Sequence, residues 1–434
     1  MLQALFVILL IPLIFNFKRF FMIYLALDVW ISCFFSPQFS VYNNLHLAIV
    51  PLFLWYYRKD FHKVKFKKFP LTIPFILLFA SFTLSNFKTG NVHYAWYFSR
   101  IIDEILIVLM FWVAMEVSPQ KSIKTFYKAS LFFALGITVY SLFETATRSN
   151  PLVTVFSNMG LYNEPSIITE VRFGLKRSQS VFLMHTTFGT LCGVLFAMFF
   201  SAYSNIILKS KRNLTILLIL LAFCTFATGT RSCIVGFGLI LLSQFSNFNK
   251  TTVVMATVIL LVLIFGGDYL DKIIDSIFNT EAVQGSNSDM RDTQFAISAY
   301  YMMQNYWLGH GLQYTFTDVL PQNPQLMGAE SLWFPTMIDL GMMGIIAYAS
   351  FFIAMIIYAL RHGRKMYVFF AIAELVVFSM TSVPQFAVTH TFFYLYIMCK
   401  FAENKSNHNQ IMEKIKPEIR YTYDRDTQTV KTVS

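Results

Sequence analysis

Residues Ser331–Lys365 read SLWFPTMIDLGMMGIIAYASFFIAMIIYALRHGRK. From Ser331 to Leu360 the single charged side chain is Asp339, and the run then meets Arg361, Arg364 and Lys365. A helix needs about 20 mainly apolar residues to cross the hydrocarbon of a bilayer, and this run is longer than that. The cations that close it predict a cytoplasmic end, because short cytoplasmic loops carry an excess of Lys and Arg. The same pattern recurs through the chain. Apolar residues make up 56% of the 434 and charged ones 13%, about half the ~25% of soluble domains. With 48 phenylalanines and a mean hydropathy of +0.56, a water-soluble protein is excluded. The expected fold class is an all-α polytopic membrane protein.

Working outward, spans are predicted near 2–17, 20–36, 43–57, 69–87, 99–117, 126–146, 180–205, 213–230, 231–248, 251–267, 331–360, 366–383 and 385–400. Pro384 makes one broken helix of the last two an alternative, so the count is 12 to 13. The run from Leu2 to Phe17 is followed by Lys18-Arg19 and not by small residues, so no cleavable signal peptide is expected. Basic segments between spans then fall on one side: Lys18-Arg19, Arg58 to Lys68, Lys121 to Lys128, Lys209 to Arg212, Lys250, Arg361 to Lys365, and the tail from Lys400. They hold 25 of the 34 Lys and Arg residues, which makes that side cytoplasmic. The net charge of +11 is therefore an orientation signal, and no nucleic-acid partner is expected. The five cysteines lie in or beside apolar spans without metal-ligand spacing, as packing residues do.

Nine basic residues remain on the other side, six of them Arg: Arg100, Arg148, Arg172, Arg177, Arg231 and Arg291. A planar guanidinium grips phosphate or carboxylate at two points at once, so this enrichment points to an anionic ligand at the outer face. The chain divides into N-terminal spans (1–146), a first outer loop (147–179), central spans (180–267), a long outer loop (268–330), C-terminal spans (331–400) and a polar, disordered cytoplasmic tail (401–434). In the long loop, Phe295, Ile297, Tyr300, Met303 and Trp307 have helical spacing, predicting a helix along the membrane surface or packed on the bundle. Gly309 and Gly311 mark a turn, and Pro321 and Pro324 break any helix before the next span.

Several of these segments resemble one family. Arg291, an amphipathic stretch and then Tyr306-Trp307-Leu308-Gly309-His310-Gly311-Leu312 are similar to a pattern of the O-antigen polymerase and ligase superfamily. Glu330-Ser331-Leu332-Trp333, leading to Asp339-Leu340-Gly341-Met342-Met343-Gly344, resembles that family's passage from the long loop into the following span. Thr228-Gly229-Thr230-Arg231-Ser232 and Arg177-Ser178-Gln179-Ser180-Val181-Phe182 resemble two further motifs, with Ser180 standing where glycine is usual. Together they cover roughly Arg177 to Tyr348; the N-terminal third fits only in topology.

The resemblance implies a GT-C-like membrane glycosyltransferase of the bacterial inner membrane with an extracytoplasmic active face. Its donor would be an oligosaccharide on undecaprenyl pyrophosphate, and a hydroxyl of a second saccharide would displace the lipid pyrophosphate. That chemistry needs positive charge on the leaving group and a group that orients or deprotonates the acceptor. Arg177, Arg231, Arg291 and Arg172 are the candidates for the first task, and Glu330, Arg291 and His310 the catalytic candidates. No cofactor or metal is expected, since Asp424-Arg425-Asp426 is the only Asp-x-Asp and lies in the tail. Ligases of the family carry a histidine where this chain has Glu330-Ser331, which favours a polymerase; His310 keeps the ligase open. A chain-length regulator is a partner the polymerase reading implies.

Each candidate has a plainer reading. Arg231 can be a helix-end arginine reaching for water, Glu330 an acid favoured by a helix N-terminus, and His310 a turn residue. His185, Asp28, Asp103-Glu104, Asp339 and Glu374 sit in or near spans, where ionisable groups are expensive. Arg100 lies one turn from Asp103 and Glu104, as a local ion pair would. A transporter of lipid-linked sugar is the alternative class, but no internal repeat supports it; a non-catalytic scaffold leaves the outer arginines unexplained.

Overall fold

The computed structural model describes residues 15–31, 40–88, 93–158, 171–172, 175–182, 184–205, 212–243, 288–326, 331–362, 364–381, 385–415, 421–423 and 430–432. Residues 2–14 of the first expected span and the whole expected span 251–267, together with Lys272, Glu330 and Asp424-Arg425-Asp426, lie outside the described residues, as do the side chains of Asp28 and Arg172.

The helices in chain order are α1 (Phe17–Ile31), α2 (Ser40–Tyr57), α3 (Thr72–Lys88), α4 (Tyr94–Arg100), α5 (Ile107–Val117), α6 (Pro119–Thr147) and α7 (Pro151–Asn158). They continue as α8 (His185–Asn205), α9 (Arg212–Ala227), α10 (Arg231–Leu242), α11 (Ser288–Gln304), α12 (Trp333–Arg361), α13 (Lys365–Met380) and α14 (Gln385–Ile415). A π-helical stretch, Ile101–Leu106, joins α4 to α5 and carries Asp103 and Glu104. The strands are two short hairpins, β1 (Val171–Arg172) with β2 (Leu175–Lys176) and β3 (Tyr421–Tyr423) with β4 (Val430–Thr432). The fold is thus an all-α membrane protein, as expected. Among the described helices α6, α8 and α12 are long and apolar enough to cross a bilayer, and α3, α9 and α10 are shorter apolar helices.

Helix α8 is apolar all round and buried along nearly its whole length, the mark of a helix in the middle of a bundle. It packs on α9 and on α14, whose residues Val388 to Cys399 are equally enclosed. Around this pair α10 packs on α13, α12 on α3 and α13, and α1 on α6. On the periphery Ile73, Ile76, Phe132 and Val139 stand exposed, as side chains do when the surrounding solvent is lipid. Free Cys192, Cys224, Cys233 and Cys399 are buried packing residues. Two boundaries differ from expectation. The last helix does not stop at Lys400 but runs to Ile415, and Lys176 to Ser180, assigned to the first outer loop and its edge, are buried in the bundle.

Candidate active site at the arginine end of the bundle

The segment Lys176 to Ser180 enters the bundle because polar partners wait for it there. Glu144, near the end of α6 and fully buried, collects most of them. Its Oε2 accepts from Ser178 Oγ at 2.8 Å, from the Gln179 N–H at 3.1 Å and from the Ser180 N–H at 2.7 Å. Its Oε1 accepts from Asn150 Nδ2 at 2.9 Å and lies 3.2 Å from the Lys176 ammonium. Asn150 also donates to the Ser180 carbonyl at 2.6 Å. Held this way, Ser180 adopts φ +51°, in the left-handed region where glycine carries no Cβ penalty. Glycine would hold this conformation without that penalty, and Ser180 keeps it while donating its Oγ to the Ile137 carbonyl at 2.9 Å.

On its other flank the segment meets the turn between α9 and α10. The Ser178 N–H donates to the Ala227 carbonyl at 2.9 Å. Arg177, 6% exposed, donates from Nε to the Thr228 carbonyl at 2.8 Å and from Nη2 to Thr230 Oγ1 at 3.1 Å. The turn closes through Gly229 at φ +61°, after which Thr230 precedes α10 and Arg231 opens it. Arg177 therefore braces the turn that leads into Arg231, 54 positions later in sequence.

The same corner reaches the end of α13. Ser232 Oγ lies 3.5 Å from Thr381 Oγ1, and Arg291, in the first turn of α11, donates from Nη2 to the Met380 carbonyl at 3.1 Å. The Leu332 N–H donates to the Phe378 carbonyl at 2.8 Å, and Trp333 Nε1 to Ser379 Oγ at 2.8 Å. Residues 331–333, which follow Glu330 in sequence, thus dock on the stretch of α13 that holds Arg291. Arg177, Arg231 and Arg291 are brought to one end of the bundle. Arg172 sits in β1, paired with Leu175 of the hairpin that leads into Lys176.

His310 belongs to a different piece of architecture. Helix α12 is broken at Gly341, whose φ is 61° and ψ −152°, and the broken backbone is completed by the loop before it. The His310 N–H donates to the Ile338 carbonyl at 2.9 Å and the Gly311 N–H to the Asp339 carbonyl at 2.9 Å. In return the Met342 N–H donates to the Tyr306 carbonyl at 2.9 Å and the Met343 N–H to the Trp307 carbonyl at 3.1 Å. The Asp339 carboxylate accepts from the Gln313 and Thr315 N–H groups at 3.0 and 2.8 Å and from Thr315 Oγ1 at 2.6 Å. The His310 ring shares a hydrogen bond with the Tyr301 carbonyl at 2.8 Å through Nε2 and stacks on Tyr314. The two glycine motifs of the sequence are therefore the two halves of one clasp.

Arg100, Asp103 and Glu104, flagged in or near spans, have partners. Arg100 is paired with Glu104, whose Oε2 accepts from Tyr348 at 2.6 Å, and Ser99 donates to Asp103 at 2.9 Å. Glu374, on α13, is sealed from solvent, and its Oε2 finds no hydrogen-bond partner among the described residues. His185 opens α8 beside Thr186, whose carbonyl lies 3.6 Å from Cys233 Sγ. Sequence reasoning passed over Glu144. It sits inside a predicted span, so the rule that singled out the other intramembrane carboxylates covered it too. No cluster of metal-ligating side chains occurs among the described residues.

An all-α bundle with arginines gathered at one end and a clasped, broken helix defines a polytopic membrane protein. Residues 216–349 match the family model described as O-antigen ligase, which supports the resemblance to the O-antigen polymerase and ligase superfamily. The match includes Arg231, Arg291, both halves of the clasp and Glu330, and it stops short of Arg177. It does not separate polymerases from ligases. No curated protein matches the chain.

Proposed function

We propose that this protein polymerises undecaprenyl-pyrophosphate-linked oligosaccharide repeat units into a surface polysaccharide, O-antigen or capsule, at the outer face of the bacterial inner membrane. The observation that carries the proposal is the convergence of Arg177, Arg231 and Arg291 on the α9–α10 turn and the end of α13. Arg231 and Arg291 take the departing pyrophosphate, neutralising the charge that develops as the anomeric carbon–oxygen bond breaks. Arg177 acts through the turn it braces. Glu330, next in sequence to the docked Ser331, orients the acceptor hydroxyl and takes its proton. Arg172, in the hairpin that leads into Lys176, is a further candidate for the pyrophosphate. Two charged guanidinium groups on the pyrophosphate make a divalent metal unnecessary for this step. A chain-length regulator is the expected protein partner.

The family description favours a second reading, a ligase that transfers finished glycan to lipid A core. His310 would then be the base, but its Nε2 is committed to Tyr301 and its ring to Tyr314, which supports the polymerase. The test is the surface-glycan profile of a deletion strain carrying plasmid copies of the gene. A polymerase gives single-repeat caps on lipid A in the deletion, restored to long chains by the wild type. Arg231→Lys and Arg291→Lys should each lower polymerisation by about 100-fold, the usual loss on removing a charge-stabilising donor, while protein levels hold. Bare lipid A with polymer left on the carrier lipid establishes the ligase instead, and an unchanged profile refutes both.

A further inference from the structure

At the opposite end of the bundle lies a cavity of about 240 Å³. Its wall is made by Lys18, Arg19 and Met22 of α1, by Asp60 and Lys63 of the α2–α3 connection, and by Val117 to Thr125 where α5 gives way to α6. Three basic segments far apart in sequence therefore meet in one place, on the side that the charge distribution predicts is cytoplasmic. Four cations surround one carboxylate. Asp60 is 9% exposed and takes both lysines at 2.5 Å. These two hydrogen bonds, Lys18 first, hold its carboxyl down at about 2, so Asp60 neutralises within the trio and offers nothing further to a neighbour. Among the described residues Arg19 and Lys121 have no ion-pair partner. Ser118 adds a hydroxyl, 3.2 Å from that of Ser122, which itself donates to the Ala114 carbonyl at 3.0 Å, and Ser118 does not cap α6 with its side chain.

We propose that this cavity is a phosphate-binding site and that its occupant is the headgroup of an anionic phospholipid. Arg19 and Lys121 supply the counter-charge, the Ser118 hydroxyl donates to a phosphate oxygen, and Met22 and Val117 meet the apolar side of the headgroup. A free phosphate shares the ionic half of that recognition but has no use for the apolar half. Basic pockets between helix ends at a cytoplasmic surface suit such lipids, because the anionic leaflet concentrates the ligand there. The site is separate from the arginine end and does not depend on the proposed polymerase activity.

The test uses the full chain, purified in detergent and stripped of lipid, with bound lipid read by native mass spectrometry. Phosphatidylglycerol should be retained in preference to phosphatidylcholine. Arg19→Gln/Lys121→Gln should retain phosphatidylglycerol about 30-fold less well, the loss expected for two headgroup contacts. Among the described residues neither side chain has an ion-pair partner, so the lipid-free unfolding temperature of the double variant should match the wild type and show that it folds. Arg361→Gln/Lys365→Gln removes the same charge from another loop of the same side and should retain the lipid. Inorganic phosphate is titrated alone in parallel. If it stabilises the wild type but not the pocket variant while phosphatidylglycerol does not bind, the phosphate site stands and its occupant is the free anion. Equal retention of the two lipids, or equal loss in both double variants, overturns the proposal.

Discussion

The clasp at Gly341 makes a prediction that can be sized from the structure. In Gly341→Ala the new Cβ would stand 2.6 Å from the Gly309 nitrogen, 2.7 Å from the Tyr306 carbonyl oxygen and 2.9 Å from the Trp307 carbonyl carbon. All three are backbone atoms, so no side chain can rotate to make room. The dihedral angles of 61° and −152° also fall in a region that is almost reserved for glycine and costs other residues about 1–3 kcal/mol. The loop must then retreat, and the bonds from Met342 to Tyr306 and from Met343 to Trp307 are the first to lengthen, at ~1 kcal/mol each. The sum, about 3–5 kcal/mol, is a large part of the ~5–15 kcal/mol that holds a typical domain folded.

Thermal unfolding in detergent, followed by cysteine-reactive fluorescence, should therefore show a fall on the order of 10 °C, because the four buried cysteines report on opening. Proteinase K should cut the 305–326 segment faster in the variant. Gly193→Ala is the control: its Cβ meets nothing within 4 Å, so alanine there should change stability by less than about 1 kcal/mol. A Gly341→Ala protein that melts within about 2 °C of the wild type, with the loop equally protected, refutes the clasp.

Glu144→Ala removes the acceptor of four hydrogen bonds and leaves Lys176 buried without its counter-charge. The expected loss is about 3–5 kcal/mol, read as a lower unfolding temperature, and Lys176→Met in the same chain should recover part of it. Ser180→Gly trades relief of the positive φ against the bond to Ile137 and should stay within about 1 kcal/mol of the wild type, whereas Ser180→Val should cost several times as much by the same assay. The fourth prediction concerns pH. His362, which ends α12, is raised above its ordinary range chiefly by its hydrogen bond to Glu403, and the same bond holds the Glu403 carboxyl at about 2. A raised histidine contributes stability below its unfolded value of about 6.5 and loses it as pH rises through the folded value. The melting temperatures of His362→Gln and the wild type should accordingly differ at pH 5.5 and converge by pH 8.5; a difference independent of pH would refute the assignment.

What the sequence makes legible here follows from the solvent. Length and hydropathy are local quantities, so the helices and the gathering of basic loops on one side could be read directly, and Lys18, Lys63 and Lys121 do line one cavity. Partners are not local. Lys176 to Ser180 look like solvated loop until Glu144, 32 positions before Lys176, is placed beneath them. Gly341 sits in an apolar run and reads as continuing helix, and only the approach of Gly309 shows why the helix breaks there. Helix α11 carries the clearest lesson. Its helical period was legible, yet Phe295, Tyr300 and Met303 stand exposed, as does Trp307 just beyond the helix, while Gln294, Ser298 and Met302 are buried. In water that arrangement would be inverted. The helix packs on α12, the bundle-packed alternative for it, and the exposed apolar side chains suit a lipid-facing side. Periodicity identifies the helix; which face is buried depends on whether the medium beyond it is water or lipid.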